Sequence, residues 1–233
     1  GRIWRITYKG EHHDVNDLTT ASVDDLLAAL DADNITTRMA ASDQLADRIG
    51  EPAIDHLKAI LDDHEVSPSP LKYIHALWIL YRLQALDEEV LKQAIAHTSP
   101  LVRLHTLRIL REWKSARDTF HPLILNSLKD GDPHVQRAAV ELLMDYPDIN
   151  SVEAVLSVLH RTPAHDTHLI YTSRLCLRNL LRNHELMKQA GAKEWSKEDA
   201  TYIAGTLVAV ASPDAAIFLA NYLQNDKMPN EKT

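Results

Sequence analysis

An eight-residue pattern recurs five times along the chain and limits its possible folds more than any other feature. RMAASDQL from Arg38, YIHALWIL from Tyr73, RLHTLRIL from Arg103, QRAAVELL from Gln136 and SRLCLRNL from Ser173 each carry a small or apolar residue at the fourth position and Leu at the eighth. Their starts lie 35, 30, 33 and 37 residues apart. Self-similarity at such a period means a supersecondary unit that cannot bury its apolar face alone and must stack on its neighbours. Turn residues stand before most copies: Asp33-Asn34, Ser67-Pro68-Ser69-Pro70, Ser99-Pro100 and Asp132-Pro133. Ser, Asp and Asn side chains accept from the free N–H groups at a helix start, and Pro suits the first helical position because its missing N–H is not needed there. Each turn therefore sets the register of the helix after it.

Shorter amphipathic stretches fill the intervals: SVDDLLAALDA from Ser22, PAIDHLKAILDD from Pro52, DEEVLKQAIAH from Asp87, FHPLILNSLKD from Phe120 and INSVEAVLSVLHR from Ile149. Apolar residues at i, i+3, i+4 and i+7 spacing give each of them one buried stripe and one wet face. A helix pair every 30 to 37 residues, with Val102-Arg103 and Val135-Gln136 following the turns, resembles the HEAT and armadillo class of α-solenoids over roughly residues 22–225. The expected fold is thus all-α, an α-α superhelix of about six helix pairs. A pair over 197–211 and 213–224 is expected to close the stack, after a short helix and linker between Asn183 and Ser196. Scarce Gly (6 residues) and few aromatics (6%) fit helices better than sheets.

The first residues break the pattern. GRIWRITY alternates β-branched and aromatic residues with polar ones, a period-2 strand signal, yet no neighbouring strand is available to pair with it. Residues 1–18 read as this strand and a linker, and 19–233 as the repeat domain. GRIWRITY resembles the last strand of a β-propeller of the sorbosone or glucose dehydrogenase type. A propeller followed by a HEAT-like region is similar to the large membrane-bound dehydrogenases of planctomycetes and related bacteria, which often carry a c-type haem domain further on. That resemblance implies a segment of a longer multidomain protein in the periplasm or another extracytoplasmic space, with the oxidative chemistry in the propeller. The region from Gly1 to Thr233 would be a spacer or docking surface.

No cofactor is expected here. The lone Cys176 excludes an internal disulfide and the Cys-x-x-Cys-His of a c-type haem, and its apolar stretch SRLCLRNLL predicts a buried, inert thiol. The net charge of −8 repels a phosphate backbone, so nucleic acid is not an expected partner. No run of 18 apolar residues predicts insertion in a membrane. Thirteen histidines invite a metal, but neither Glu11-His12-His13-Asp14 nor the group of His160, His165, Asp166 and His168 has ligand spacing on one helix face.

The stronger candidate is a surface. The third, sixth and tenth positions of each repeated segment share one helix face. They read Ala40, Asp43, Asp47; His75, Trp78, Arg82; His105, Arg108, Glu112; Ala138, Glu141, Asp145; and Leu175, Arg178, Arg182. Second helices commonly line the concave side of a solenoid, which makes His75, Trp78, Arg82, His105, Arg108 and Glu112 the candidate binding patch for a protein partner or a neighbouring domain. The competing reading packs Trp78 between helices and spends the charges in salt bridges. Two other functions fit solenoids of this kind. Trp78, Trp113, Asp43 and Arg108 are the residue types used by the bacterial alkylpurine DNA glycosylases, which are HEAT-like, but basic residues that alternate with Glu112, Glu141 and Asp145 make a poor phosphate surface. A phycobilin-lyase-like protein has no positive signal. Without a Ser-His-Asp, P-loop, HExxH or GxGxxG pattern, the expectation is a non-catalytic scaffold.

Overall fold

The structure, a computed structural model, describes residues 17–62, 69–113 and 117–227, together with residues 4, 9 and 10; at 117, 118 and 225–227 it describes the backbone alone. The strand expected over Arg2–Tyr8 lies outside these residues except at Trp4, and so does the Glu11–Asp14 cluster. All regular structure among the described residues is helical, as the repeat predicts. The chain divides into two compact units, Gly1–Asp87 and Glu88–Thr233.

The first unit holds α1 (Val23–Ala29), α2 (Ile35–Asp43), α3 (Ile54–Asp62) and α4 (Pro70–Arg82). α1 packs on α2 and α3 on α4, while α2 also meets α4, so the second helices of two repeats stack. α2 runs on into a π-helical turn, Gln44–Ile49, and a 3₁₀ turn, Glu51–Ala53. Gly50 between them has φ 68°, and its N–H donates to Leu45 O at 2.9 Å. A residue with a Cβ adopts that conformation at a cost, which explains a glycine at this corner.

The second unit holds α5 (Glu88–Ile95), α6 (Pro100–Glu112), α7 (Arg117–Ser127), α8 (Pro133–Leu143), α9 (Ile149–Arg161), α10 (Thr167–Leu181), α11 (His184–Ala192), α12 (Lys197–Leu207) and α13 (Pro213–Lys227). α5 packs on α6, α7 on α8 and α9 on α10, and α6, α8, α10 and α12 meet in succession as one layer of second helices. The expected closing pair, α12 and α13, does pack together. The stretch read as a short helix plus linker does more than connect: α11 buries Leu186, Met187 and Ala190 and packs on α9, α10 and α13.

The repeated pattern maps directly onto burial. Its fourth-position residues, Ala41, Ala76, Thr106, Ala139 and Cys176, are all at 0% exposure, and its leucines, Leu45, Leu80, Leu110, Leu143 and Leu180, are at 2% or less. Each such leucine contributes about 1.5–3 kcal/mol of burial. Small fourth-position side chains let helices approach; Thr106 satisfies its hydroxyl by donating to Val102 O at 2.9 Å. Burial pushes the Cys176 thiol far above its usual range, so it is inert at neutral pH, as expected.

The turns cap as their residues predict. Thr36 N–H donates to Asn34 Oδ1, Lys72 N–H to Ser69 Oγ, and His134 N–H to Asp132 Oδ1, while Pro70, Pro100 and Pro133 each open a helix. The pattern's first position adds a clamp. Arg38 Nη1 reaches back to Ala32 O (2.6 Å) and Asp33 O (2.9 Å), Arg103 Nη1 to His97 O (2.8 Å) and Thr98 O (2.9 Å), and Gln136 Nε2 to Asp130 O (2.6 Å). A long polar side chain on a second helix thereby satisfies carbonyls of the turn before it.

Candidate functional site

The six patch residues divide between the units: His75, Trp78 and Arg82 on α4, and His105, Arg108 and Glu112 on α6. In the first unit the ion-pair reading holds. Arg82 Nη1 meets Asp43 Oδ1 at 2.8 Å and its Nη2 meets Asp47 Oδ1 at 2.9 Å. The π-helical turn carries Asp47, so that both carboxylates converge on one guanidinium. His75 Nδ1 lies 2.8 Å from Ser42 Oγ, which itself donates to Arg38 O at 2.8 Å. A hydroxyl has one proton, so His75 Nδ1 must be the donor, and burial followed by the Arg38 charge lowers its pKa and keeps it neutral. Trp78 is half-buried and packs edge-on against Tyr81, with ring centroids 5.9 Å apart. Asp43, one of the glycosylase-like residue types, is an ion-pair partner here.

On α6 in the second unit, His105 is half-buried while Arg108 and Glu112 are exposed. Neighbouring charges are spent internally. Arg111 lies 3.5 Å from Glu141 Oε2 and Arg137 3.7 Å from Glu141 Oε1. Arg103 makes a bidentate pair with Asp130, both bonds 2.7 Å, with side chains only 18% and 11% exposed. Burial would raise the Asp130 pKa, but the Arg103 bonds and the Asp132 N–H outweigh it and hold the carboxyl below its usual range.

The group of His160, His165, Asp166 and His168 does not assemble as a cluster. Asp166 caps α10 through Leu169 N–H. His160 instead ties α9 to α12, with Nε2 2.6 Å from Asp199 Oδ1 and Nδ1 3.1 Å from Glu198 Oε1. The Asp199 bond, working against burial and helped by Glu198, raises the His160 pKa. Among the described residues no three His, Cys, Asp or Glu side chains converge as metal ligands would.

The second-helix layer of this unit also holds a cavity of about 520 Å³ between α10 and α12. It is lined by the small or apolar Leu175, Gly205, Thr206 and Ala209 and by Tyr171, Arg174, Arg178, Thr201 and Tyr202. Leu175 and Arg178 were on the expected face. Tyr171, Arg174 and the α12 residues were not, because α12 lacks the repeated pattern and offers no register to align. Gly205 is the one local signal: mid-helix glycine costs about 0.5–1 kcal/mol against alanine, and a Cβ there would meet nothing within 4 Å. Packing does not require it.

Residues 88–170, from α5 into α10, match the HEAT-repeat family. With the stacked helix pairs, this makes the fold HEAT-like, as the period and turns predict. No curated protein matches the chain. None of the described helices is long and apolar enough to cross a membrane.

Proposed function

We propose that the chain is a non-catalytic helical-repeat scaffold that holds a protein partner, or a neighbouring domain of its own polypeptide, on the faces of its second helices. The observation that carries this is the state of the arginines in the second unit. Arg108, Arg174 and Arg182 make no bond to another group among the described residues, although the protein carries a net charge of −8. Guanidiniums left unpaired among so many carboxylates are placed for something outside the chain. HEAT repeats, matched over residues 88–170, are a fold for such interactions.

In the finer reading the neighbour is a β-propeller of the dehydrogenase type, and GRIWRITY is its last strand. The test is to read the gene on either side of Gly1–Thr233 and titrate any upstream propeller domain, purified separately, into this chain. Repeating β-blades upstream and binding that R108E and R174E weaken support the whole reading. Blades absent would remove the dehydrogenase part, and binding indifferent to both substitutions would remove the second-helix face.

A further inference from the structure

We infer that the cavity between α10 and α12 is a docking site for an acidic peptide segment, one that presents an apolar side chain next to carboxylates. The inference rests on the scaffold reading and names the partner's chemistry. The walls set the charge. Arg174 and Arg178 stand one turn apart on α10, so their guanidiniums present two positive charges along one face. Arg174 has no bonded partner among the described residues, and Arg178 meets only the neutral amide oxygen of Asn179, at 3.1 Å.

The carboxylates of α12 bond other groups. Asp199 is held by His160 and by the Ser196 hydroxyl at 2.6 Å, and Glu198 by His160. The lining of the cavity thus carries two guanidiniums and no carboxylate, in a protein that is acidic as a whole, which favours an acidic partner at this place.

The apolar lining sets the rest. Leu175, Ala209 and the absent side chain of Gly205 make an apolar hollow that a bare anion would leave empty, and its volume of about 520 Å³ leaves room for a large side chain. Tyr171 is 67% exposed at the rim and Tyr202 stands across from it, so an apolar side chain entering the hollow has aromatic rings beside it. Thr201 shows how α12 keeps its own polar groups occupied: its hydroxyl bonds Lys197 O and Tyr222 OH.

The probe is a fluorescein-labelled peptide with a central phenylalanine and two glutamates on each side, followed by fluorescence anisotropy with the full chain. Saturable binding is expected, weakening between 50 and 500 mM salt because screened charges contribute. R174Q/R178Q should raise Kd about tenfold, the loss of two exposed ion pairs, and G205L should raise it by filling the hollow. The same peptide with glutamines for glutamates should bind at least about tenfold more weakly on the same ground. No binding of the acidic peptide overturns the inference. So does binding that survives both R174Q/R178Q and G205L, but if R108E abolishes that binding, the scaffold reading stands with its site elsewhere. Displacement by inorganic phosphate alone, with G205L silent, also overturns it, since that outcome describes an anion site without the apolar element.

Discussion

Where α6 meets the α7–α8 turn, Arg103 grips Asp130 with both ends of its guanidinium in a nearly buried pair; on α10, Arg174 and Arg178 line a cavity and meet no carboxylate among the described residues. Residue type and helix layer are the same in both places. The difference lies in what the neighbouring repeat supplies. Asp130 stands in the turn that leads into α8, where it completes a clamp begun by the carbonyls of His97 and Thr98. Among the described residues no carboxylate pairs with Arg174 or Arg178, while Asp199 and Glu198 both bond His160. If, as proposed, paired arginines hold repeats together and unpaired ones serve a partner, stability and binding should separate by mutation.

The largest expected effect is on the paired side. R103M removes a bidentate pair and two carbonyl bonds and leaves Asp130 without its cation, which should cost about 2–3 kcal/mol in urea unfolding followed by far-ultraviolet circular dichroism. A loss below about 0.5 kcal/mol, the range of an ordinary surface change, would break the comparison. Because Asp130 is held below its ordinary value, its contribution is present above the unfolded carboxyl range and is lost as pH falls through the folded value. The gap between wild type and R103M should therefore narrow in acid.

Arg38 sharpens the point. It makes the same two carbonyl bonds, yet its buried Nε has no partner. R38M should cost only about 1 kcal/mol by the same unfolding measurement, with the difference from R103M reporting the carboxylate. Equal losses would mean that the carbonyl clamp, not Asp130, carries the energy.

G205A should act in the opposite direction, stabilising by about 0.5–1 kcal/mol, seen as a rise in melting temperature. A fall would mean that the site is closed to a Cβ and not left open for a ligand. H160N gives the smallest effect and a pH signature. The folded His160 pKa is raised, so its contribution is complete below the unfolded imidazole value near 6.5 and disappears as pH rises through the folded value. H160N should be less stable than wild type at about pH 6 and equal to it at about pH 9. A constant difference would show that the ring acts by packing on Tyr202 alone.

The fold was legible because a repeat states one rule several times. Small fourth-position residues and eighth-position leucines follow from helix packing, and every one of them is buried. Capping was legible for the same local reason. The site was half legible: face positions found Leu175 and Arg178, while Tyr171 and Arg174 lie one turn back and Tyr202 and Gly205 sit on a helix without the pattern. Pairing was not legible at all. Arg82 and Arg178 look alike on their helices, and only the tertiary structure places Asp43 and Asp47 at one and a neutral amide at the other.

The most direct test is to measure one variant twice. R174Q/R178Q should unfold in urea within about 0.5 kcal/mol of wild type, as residues without a carboxylate partner do, while its affinity for the acidic peptide falls about tenfold. A protein destabilised by several kcal/mol that still binds the peptide as tightly as wild type would contradict the division of paired and unpaired arginines on which the functional reading rests.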